Sequence, residues 1–275
     1  MSHTLLDWLL RQYPTAKRQT LRRMVSDGRV RINDKPAKSL KQPVEGKDRI
    51  IVRPTQSKPV VHANLKPLRL IYEDDDVLVV DKPAGLLTST VAREKRPTAL
   101  AIVRAYVRDH APKARVGLIH RLDRDASGLL VFSKSALAYE SLKSQFYHRT
   151  AGRVYLAITA NQPQPTQGTI ESNLVEWADG TVHSTKQAGK GESAVTHYEL
   201  FDQRRDRYLL RITLQTGRKH QIRAHLCERG WPIVGDRLYG GIEAPRLMLA
   251  AVELSFDSVR DGKRMKFQID SPLPF

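Results

Sequence analysis

The sequence predicts an α+β protein, in which a mainly antiparallel sheet flanked by helices is preceded by a small α/β module. Two observations support this prediction. From Leu68 onward, short alternating apolar segments typical of half-buried strands dominate, and helical segments interrupt them. Before that point, two short helical segments are followed by two short segments that predict strands, and a chain of 275 residues is long enough for two domains.

The elements of the N-terminal module follow from their apolar spacing. Residues 4–12 carry leucines at helical spacing, and a second short helix is predicted over 20–26. Gly28 is expected to end that helix, because glycine tolerates the left-handed conformation that a helix C-terminus often needs. Residues 29–33 alternate polar and apolar side chains, which predicts a half-exposed strand, and the apolar run in residues 49–52 predicts another.

The chain is predicted to contain two domains and a linker. The N-terminal domain covers residues 1–54, and prolines with polar residues favour an extended linker over 55–67. The second domain covers 68–275, where an Asp179-Gly180 turn indicates a hairpin. Its predicted strands are 116–119, 128–132, 153–159, 194–201 and 208–214, and its predicted helices are 136–147 and 218–229.

Residues 120–128 (His-Arg-Leu-Asp-Arg-Asp-Ala-Ser-Gly) place carboxylates, arginines and small residues between two apolar runs. Both runs are short and rich in aliphatic residues, which predicts buried strands. Asp123 is therefore expected at a strand edge or on the following loop, where side chains can face a cleft. On composition alone, a solvated turn with weak surface ion pairs is the favoured interpretation of the segment.

The same segment resembles the catalytic motif of the RluA family of RNA pseudouridine synthases, His-Arg-Leu-Asp-x-x-Thr-Ser-Gly, with Ala126 where the family usually has threonine. Three further blocks resemble family motifs in the same order: residues 71–85 with an Asp-Lys-Pro-x-Gly turn, residues 153–157 with a tyrosine-bearing strand, and residues 216–226 together with 230–236. The resemblance extends from about residue 68 to the C-terminus. It implies the pseudouridine synthase fold, with an RNA cleft across a long central sheet.

The resemblance also implies a reaction. The bond between C1′ of ribose and N1 of uracil is broken, the base turns, and it is rejoined through C5, with Asp123 as the catalytic carboxylate. Whether Asp123 attacks C6, attacks C1′ or removes the 2′ proton is left open. Arg223 would pair with Asp123. The ring of Tyr155 would stack beneath the uracil, and its hydroxyl could help to move the C5 proton, which makes Tyr155 and Arg223 catalytic residues beside Asp123. A carboxylate suffices for this chemistry, so no metal, nucleotide or redox cofactor is implied.

Further side chains are assigned to RNA contact by the same resemblance. Arg121 would fill the place that a flipped-out uridine leaves, with a phosphate contact or an ion pair with Asp125 as the alternatives. Leu247 or Leu249 would line the uracil pocket, although core packing accounts for either equally well. His120 is predicted to contact RNA next to them.

The charge of the chain indicates a polyanionic partner. Lys and Arg number 46 against 29 Asp and Glu, for a formal charge of +17. The first 54 residues hold 13 of the basic and 5 of the acidic residues, and they resemble an S-four-type RNA-binding domain. Large-subunit ribosomal RNA is the expected partner, with transfer RNA as the alternative. The basic side chains predicted to bind RNA are Lys17, Arg18, Arg22, Arg23 and Arg29; a merely solvated helix face is the competing interpretation.

Other classes of site receive no support from the sequence. No apolar run of about 18 residues and no signal-peptide pattern is found, and Cys227 is the single cysteine, which favours a cytoplasmic protein without disulfides. His220 and His225 are five residues apart with no third ligand nearby, so no metal site is predicted. No obligate protein partner is indicated.

Two other functions are compatible with parts of the sequence. A non-catalytic RNA-binding protein or RNA chaperone could keep the fold, and Ala126 together with residues 86–90, where the family often has a histidine, leaves room for it. A hydrolase with Asp123 as nucleophile lacks a nucleophile elbow or a phosphate-binding glycine loop. The sequence favours the synthase, because Arg121, Asp123, Tyr155 and Arg223 are all present.

Overall fold

The computed structural model describes residues 3–14, 16, 18–26, 28–52, 65–90, 96–187 and 189–275. The chain forms two compact units, and the division falls between the strand that ends at Val52 and the strand that begins at Arg69. Most of the predicted linker, 55–67, lies outside the described residues.

The N-terminal unit begins with a capped helix, α1 (Leu5–Gln12). Thr4 Oγ1 accepts the backbone N–H of Asp7 at 3.3 Å, and the Asp7 carboxylate accepts the backbone N–H of Thr4 at 3.0 Å. This reciprocal cap satisfies two donors that a helix start otherwise leaves unpaired. The helix therefore begins one residue later than predicted, with Thr4 as its cap.

The rest of this unit is one more helix and five short strands. Leu9, Leu21 and Val30 are fully buried in its apolar cluster. Gly28 has φ of +66°, as expected where a helix ends. The elements are α2 (Arg18–Ser26), β1 (His3–Thr4), β2 (Val30–Ile32), β3 (Lys35–Pro36), β4 (Pro43–Val44) and β5 (Ile50–Val52). β1 pairs with β4, and β2 pairs with β3 and β5, so the predicted helices and strands are confirmed.

The C-terminal unit is built on one large sheet. Its strands are β6 (Arg69–Glu73), β7 (Val77–Lys82), β8 (Gly117–Leu118), β9 (Ser127–Ser133), β10 (Gly152–Thr159), β11 (Gln167–Glu176), β12 (Val182–Thr185), β13 (Glu192–Arg204), β14 (Arg207–Leu214), β15 (Leu249–Asp257) and β16 (Arg264–Gln268). They lie in the order β12-β11-β13-β14-β10-β15-β9-β7-β6, with β16 also on β15 and β8 also on β9. The five predicted strands are present, and β11 and β12 form the predicted hairpin, with Gly180 at φ of +83°.

One pairing in this sheet departs from the antiparallel pattern. β15 and β9 run parallel, with Ala250 beside Ser127 and Ala251 beside Gly128. A Cβ atom on Gly128 would lie 2.1 Å from the carbonyl oxygen of Ala251, and its φ is +114°. Glycine at this position therefore allows the two strands to meet. All the other strand pairs among the described residues are antiparallel.

Three helices accompany the sheet in the described part of this unit: α3 (Ala99–His110), α4 (Ala136–Tyr147) and α5 (Gln221–Glu228). α4 has the predicted bounds, and α3 was not predicted. The prediction of a helix from residue 218 was wrong at its start. His220 has φ of +50°, which a right-handed helix cannot contain, and the Gln221 side chain accepts the Arg218 backbone N–H at 3.0 Å. Residues 216–220 therefore form a turn that leads into α5.

Candidate active site

A cleft of about 900 Å³ opens in the C-terminal unit. Its walls come from the motif loop (residues 119–126, between β8 and β9), the end of α4, β10, the turn before α5 and the first residue of β15. Six of the predicted site residues line it: His120, Arg121, Asp123, Tyr155, Arg223 and Leu249. Leu247 is buried but is not among the lining residues, so of the two leucines the structure brings only Leu249 to the cleft.

A buried lysine, which the sequence analysis did not single out, holds the motif loop in place. Lys82 is fully buried, and its Nζ donates to the carbonyl oxygens of Pro83 at 2.9 Å, Leu86 at 2.8 Å, Arg124 at 3.0 Å and Ala126 at 2.7 Å. Burial lowers the pKa of Lys82 to about 8, although the charges of Asp123 and Asp125 act in the opposite direction. The ammonium group thus ties the motif loop to the turn that follows β7.

Thr88 holds the same loop immediately before Asp123. Its buried Oγ1 donates to the carbonyl oxygen of Leu122 at 2.7 Å and accepts the backbone N–H of Leu122 at 3.2 Å. The backbone N–H of Gly85 donates to the carbonyl oxygen of Arg124 at 2.8 Å, one residue after Asp123. The segment that departs from the family pattern at residues 86–90 therefore fixes the backbone on which Asp123 is carried.

Asp123 is held by a chain of charged groups. Arg223 Nη1 donates to Asp123 Oδ2 at 3.2 Å. The other edge of the guanidinium donates to Asp236, from Nε to Oδ2 and from Nη2 to Oδ1, both at 2.8 Å. Asp236 is buried, whereas the side chain of Asp123 is 23% exposed at the cleft. Arg223 is therefore anchored by Asp236 and presents its remaining nitrogen to Asp123.

Tyr239 completes the support of Arg223. The Arg223 Cζ lies 5.0 Å from the centre of the Tyr239 ring, and the Tyr239 hydroxyl accepts the backbone N–H of Val182 at 2.7 Å. Burial tends to lower the pKa of Arg223, but the hydrogen bonds and charge of Asp236 outweigh it, so the pKa is raised. His220 Nδ1 lies 3.1 Å from the Tyr239 hydroxyl, which occupies one nitrogen of this histidine.

Tyr155 and Leu249 provide an apolar wall. They come from neighbouring strands, β10 and β15, and both are buried while lining the cleft. Burial raises the pKa of Tyr155, and the charge of Asp123 acts in the same direction while Arg153 opposes it. The phenol is therefore protonated at neutral pH, which suits stacking or hydrogen-bond donation better than proton removal.

Arg121 lies exposed at the cleft, and in the described part of the chain it forms no ion pair. Its predicted alternative, an ion pair with Asp125, is not found, because Asp125 pairs with Arg124 at 3.0 Å. Arg124 is next to Asp125 in sequence, and on this loop its side chain pairs with the Asp125 carboxylate in place of Arg121. Arg121 is thus left with its guanidinium directed to the cleft rather than to a carboxylate.

His120 lines the cleft through its ring. Its Nε2 accepts the backbone N–H of Val131 at 3.3 Å, and its ring is stacked on Phe146 with 4.7 Å between the ring centres. Burial lowers the pKa of His120 to about 3, and the charges of Arg153 and Lys143 contribute. The imidazole is therefore neutral, and because Nε2 accepts, the proton is on Nδ1.

The predicted RNA contacts of the N-terminal unit are described in part. Arg18 and Arg22 are exposed on α2, and Arg29 is partly exposed. Lys17 and the side chain of Arg23 lie outside the described residues. The exposed arginines are accessible to an anion in solution. Their role in RNA binding stays a prediction.

The remaining sequence predictions concern sites of other kinds. No group of three or more metal-ligating side chains is found among the described residues. His225 is fully buried, with Nε2 3.0 Å from Ser172 Oγ and Nδ1 2.9 Å from Thr196 Oγ1, so both of its nitrogens already have partners. None of the helices in the described ranges is long and apolar enough to span a bilayer.

Sequence reasoning missed three residues that build this site: Lys82, Thr88 and Asp236. The only signal in the sequence is that each is a polar residue inside or close to a matched motif block. A buried lysine or aspartate needs partners, and those partners identify its role only once the fold is known.

Comparison with known proteins agrees with this geometry. The family model for RNA pseudouridylate synthase matches residues 76–228, and that for the S4 domain matches residues 4–50. A protein named ribosomal large subunit pseudouridine synthase D from Neisseria meningitidis serogroup A is 32% identical over 281 residues, covering 97% of this chain and 74% of that protein. One of the same name from Pseudomonas aeruginosa is 32% identical over 280 residues, covering 95% and 86%.

Solved structures share the fold. Human RNA pseudouridylate synthase domain containing 4 superposes with a TM-score of 0.63 at 21% identity, covering 74% of this chain and 88% of that one. Human RNA pseudouridylate synthase domain containing 1 gives 0.61 at 23% identity, covering 76% and 86%. The C-terminal unit therefore has the pseudouridine synthase fold and is preceded by an S4 domain. With more than half of its residues matched by the family model, the chain belongs to the RNA pseudouridylate synthase family and is an RNA pseudouridine synthase of the RluA type.

Proposed function

We propose that the RNA modified by this enzyme is large-subunit ribosomal RNA, and that Asp123 is its catalytic carboxylate. The observation that carries the assignment of Asp123 is its position: it lies at the cleft, with one oxygen held by an arginine that a buried aspartate anchors. The choice of RNA is supported by the relatives, which are named for the large ribosomal subunit and align with nearly the whole chain.

The reaction requires a carboxylate at a fixed position next to the ribose and base. The bond from C1′ to N1 breaks, the uracil turns, and a bond forms between C1′ and C5; the C5 proton leaves and N1 takes up a proton, so the product is an isomer of uridine. Attack on C1′, attack on C6 and removal of the 2′ proton all require one free oxygen of Asp123 to face the nucleotide. Arg223 occupies Oδ2, which orients the carboxylate and leaves Oδ1 for the substrate.

The base itself must leave its stack to reach Asp123, at a cost of a few kcal/mol. Tyr155 and Leu249 offer the flipped uracil an apolar wall, with the phenol as a stacking partner. Arg121, exposed and without an ion pair to any described carboxylate, is suited to fill the vacated place in the RNA. Uracil-stacking by Tyr155 and gap-filling by Arg121 are thus the roles we assign to these residues.

The N-terminal unit would hold the RNA while the cleft acts on one uridine. Its matched S4 domain and its excess of basic residues support this role, and we retain residues 1–54, 55–67 and 68–275 as domain, linker and catalytic domain. Arg18, Arg22 and Arg29 are the described residues that we assign to phosphate contact. The relatives named for ribosomal RNA are bacterial, and an enzyme that modifies ribosomal RNA in such a cell would act in the cytoplasm.

Carbodiimide-based mapping of pseudouridine in total RNA tests the proposal. Cells with and without the gene are compared, and the deleted strain is complemented with the wild type or with Asp123→Asn. We expect one or more large-subunit sites to be lost on deletion and restored only by the wild type. A lost site in transfer RNA would overturn the choice of RNA, and restoration by Asp123→Asn would overturn the role of Asp123.

A further inference from the structure

One buried cation among the described residues of the C-terminal unit has no hydrogen-bond or ion-pair partner. Lys82, Lys134, Arg153 and Arg223 are the buried basic residues among those described. Lys82 has four carbonyl acceptors, Lys134 has Glu73, and Arg223 has two aspartates. The guanidinium of Arg153 forms no hydrogen bond or ion pair with any described residue, although the residue is only 8% exposed.

An arginine in this condition is costly to keep. A buried charge without a partner destabilises a fold by several kcal/mol, and the buried Nε of Arg153 is an unused donor. The Cζ of the guanidinium lies 5.4 Å from the centre of the Phe146 ring, a cation–π contact that stabilises the charge but accepts none of the N–H donors. The hydrogen-bonding groups are therefore available to a ligand.

The guanidinium of Arg153 lies against Gly217, where a larger residue would contact it. A Cβ atom on Gly217 would lie 2.3 Å from Nη1 of Arg153, and Gly217 has a backbone conformation that other residues can adopt. A side chain at this position would displace the end of Arg153, so Gly217 leaves the guanidinium its observed place. Gly217 belongs to the turn before α5 and lines the same cleft, so Arg153 lies between that turn and the end of α4.

The position of Arg153 relates it to the catalytic residues. Arg153 and Tyr155 are two residues apart on β10, about 7 Å along the strand, and both line the cleft. Lys143 and Arg149 also line the cleft and form no ion pair among the described residues. Three cations without carboxylate partners therefore lie beside the place where the uracil would stack.

We propose that Arg153 binds a phosphodiester group of the RNA next to the target uridine, with Lys143 and Arg149 adding positive charge around it. The planar fork of arginine matches two phosphate oxygens, and a phosphate would supply the acceptors that the protein does not. The inference rests on the proposed use of this cleft as the catalytic site. It adds a binding residue to that site without assigning Arg153 a part in bond breaking.

The salt dependence of RNA binding tests the contact. An in vitro transcript of large-subunit ribosomal RNA is titrated with the full-length wild type, with Arg153→Met and with Arg153→Lys between about 50 and 200 mM salt. Losing one phosphate contact lowers the slope of log K against log salt by about 0.7–0.9, and the lysine variant retains the slope. Arg108→Met is the matched control, because Arg108 is 76% exposed and does not line the cleft.

Kinetics and stability separate this role from a structural one. For Arg153→Met we expect KM to rise about tenfold while kcat changes less than threefold, since the loss of one charged hydrogen-bonded contact costs about that much in affinity. The melting temperature is expected to stay the same or rise, because the variant removes an unpaired buried charge. A slope equal to that of the control, or a lower melting temperature for Arg153→Met, would overturn the proposal.

The two proposals fail in different ways. A wild-type enzyme that forms no pseudouridine in the transcript would refute large-subunit RNA as the substrate. The salt slopes of wild type, Arg153→Met and Arg153→Lys would then be compared on the RNA that loses a pseudouridine when the gene is deleted, and they would decide the role of Arg153 there.

Discussion

Asp236→Asn is expected to damage both stability and turnover, although Asp236 does not reach the substrate cleft. Asp236 is buried and accepts two hydrogen bonds of 2.8 Å from Arg223, together with the backbone N–H groups of Leu238 and Tyr239 at 3.2 Å. An asparagine has the same shape but one acceptor fewer and no charge, so its NH₂ group would face a guanidinium donor.

The structure sets the size of the effect. Removing one partner of a buried charge pair costs about 3–5 kcal/mol, because the other charge stays buried. For a domain of this size that corresponds to a fall in melting temperature of roughly 6–20 °C. Turnover should fall by about 100-fold, since Arg223 loses the anchor that directs Nη1 to Asp123, and small displacements at reacting groups have effects of that order.

The measurements are urea or thermal unfolding and kcat on a transcript of the modified RNA. Asp206→Asn is the matched control: Asp206 also pairs with an arginine at 2.7 Å, but it is 78% exposed, and its loss should change stability by less than about 0.5 kcal/mol. If Asp236→Asn unfolds within about 3 °C of the wild type and keeps kcat within twofold, the anchoring role is refuted.

Three further outcomes are expected. Asp123→Asn should abolish turnover while leaving RNA affinity and melting temperature close to wild type, because its single bond to Arg223 is long at 3.2 Å; residual turnover in a tritium-release assay would contradict the assignment. Thr88→Val should lower the unfolding free energy by roughly 2 kcal/mol and lower kcat, since it leaves two main-chain groups of Leu122 unpaired, and Thr88→Ser should restore both; equal values for all three proteins would refute the positioning role. Burial lowers the pKa of His225 to about 4 from an unfolded value near 6.5, so its contribution to the unfolding free energy is fully present above pH 6.5 and is lost as the pH falls toward 4, by up to about 1.4 kcal/mol per pH unit. The unfolding free energy of His225→Gln, measured in urea, should therefore depend less on pH. A pH dependence equal to that of the wild type would show that His225 does not contribute to it.

Local sequence patterns predicted the bounds of a helix best where both its cap and its interior residues favoured the helix. The bounds of α4 were predicted to the residue, since Ser135 caps it and residues 136–147 contain no helix-breaking glycine or proline. The start of α5 was misplaced because a side-chain contact of Gln221 and the left-handed His220 override a helical apolar pattern. Neither feature is visible in the spacing of apolar residues.

Contacts between residues that are far apart in the sequence could not be predicted from local patterns. The parallel pairing of β9 with β15 joins residues more than 120 positions apart, and no sequence pattern announces which strands will be neighbours. The placement of Asp123 beside Arg223 followed from family resemblance and not from spacing. The lysine, threonine and aspartate that support this pair were missed, because a buried polar residue is recognised by its partners and those partners come from distant segments.

The parallel pair has a consequence for the order in which this domain can be completed. On one side of it lie β12, β11, β13, β14, β10 and β15, and on the other β9, β7 and β6, so each group of strands can satisfy its own antiparallel ladders first. The two groups meet through only two residue pairs along β9 and β15, supported by Arg246 donating to Ser127 Oγ at 2.6 Å. Asp123 belongs to one group, and Tyr155 and Leu249 belong to the other. The active site therefore forms only when the two groups of strands are joined. A chain with both groups folded but not joined would contain nearly all of the native secondary structure and no active site.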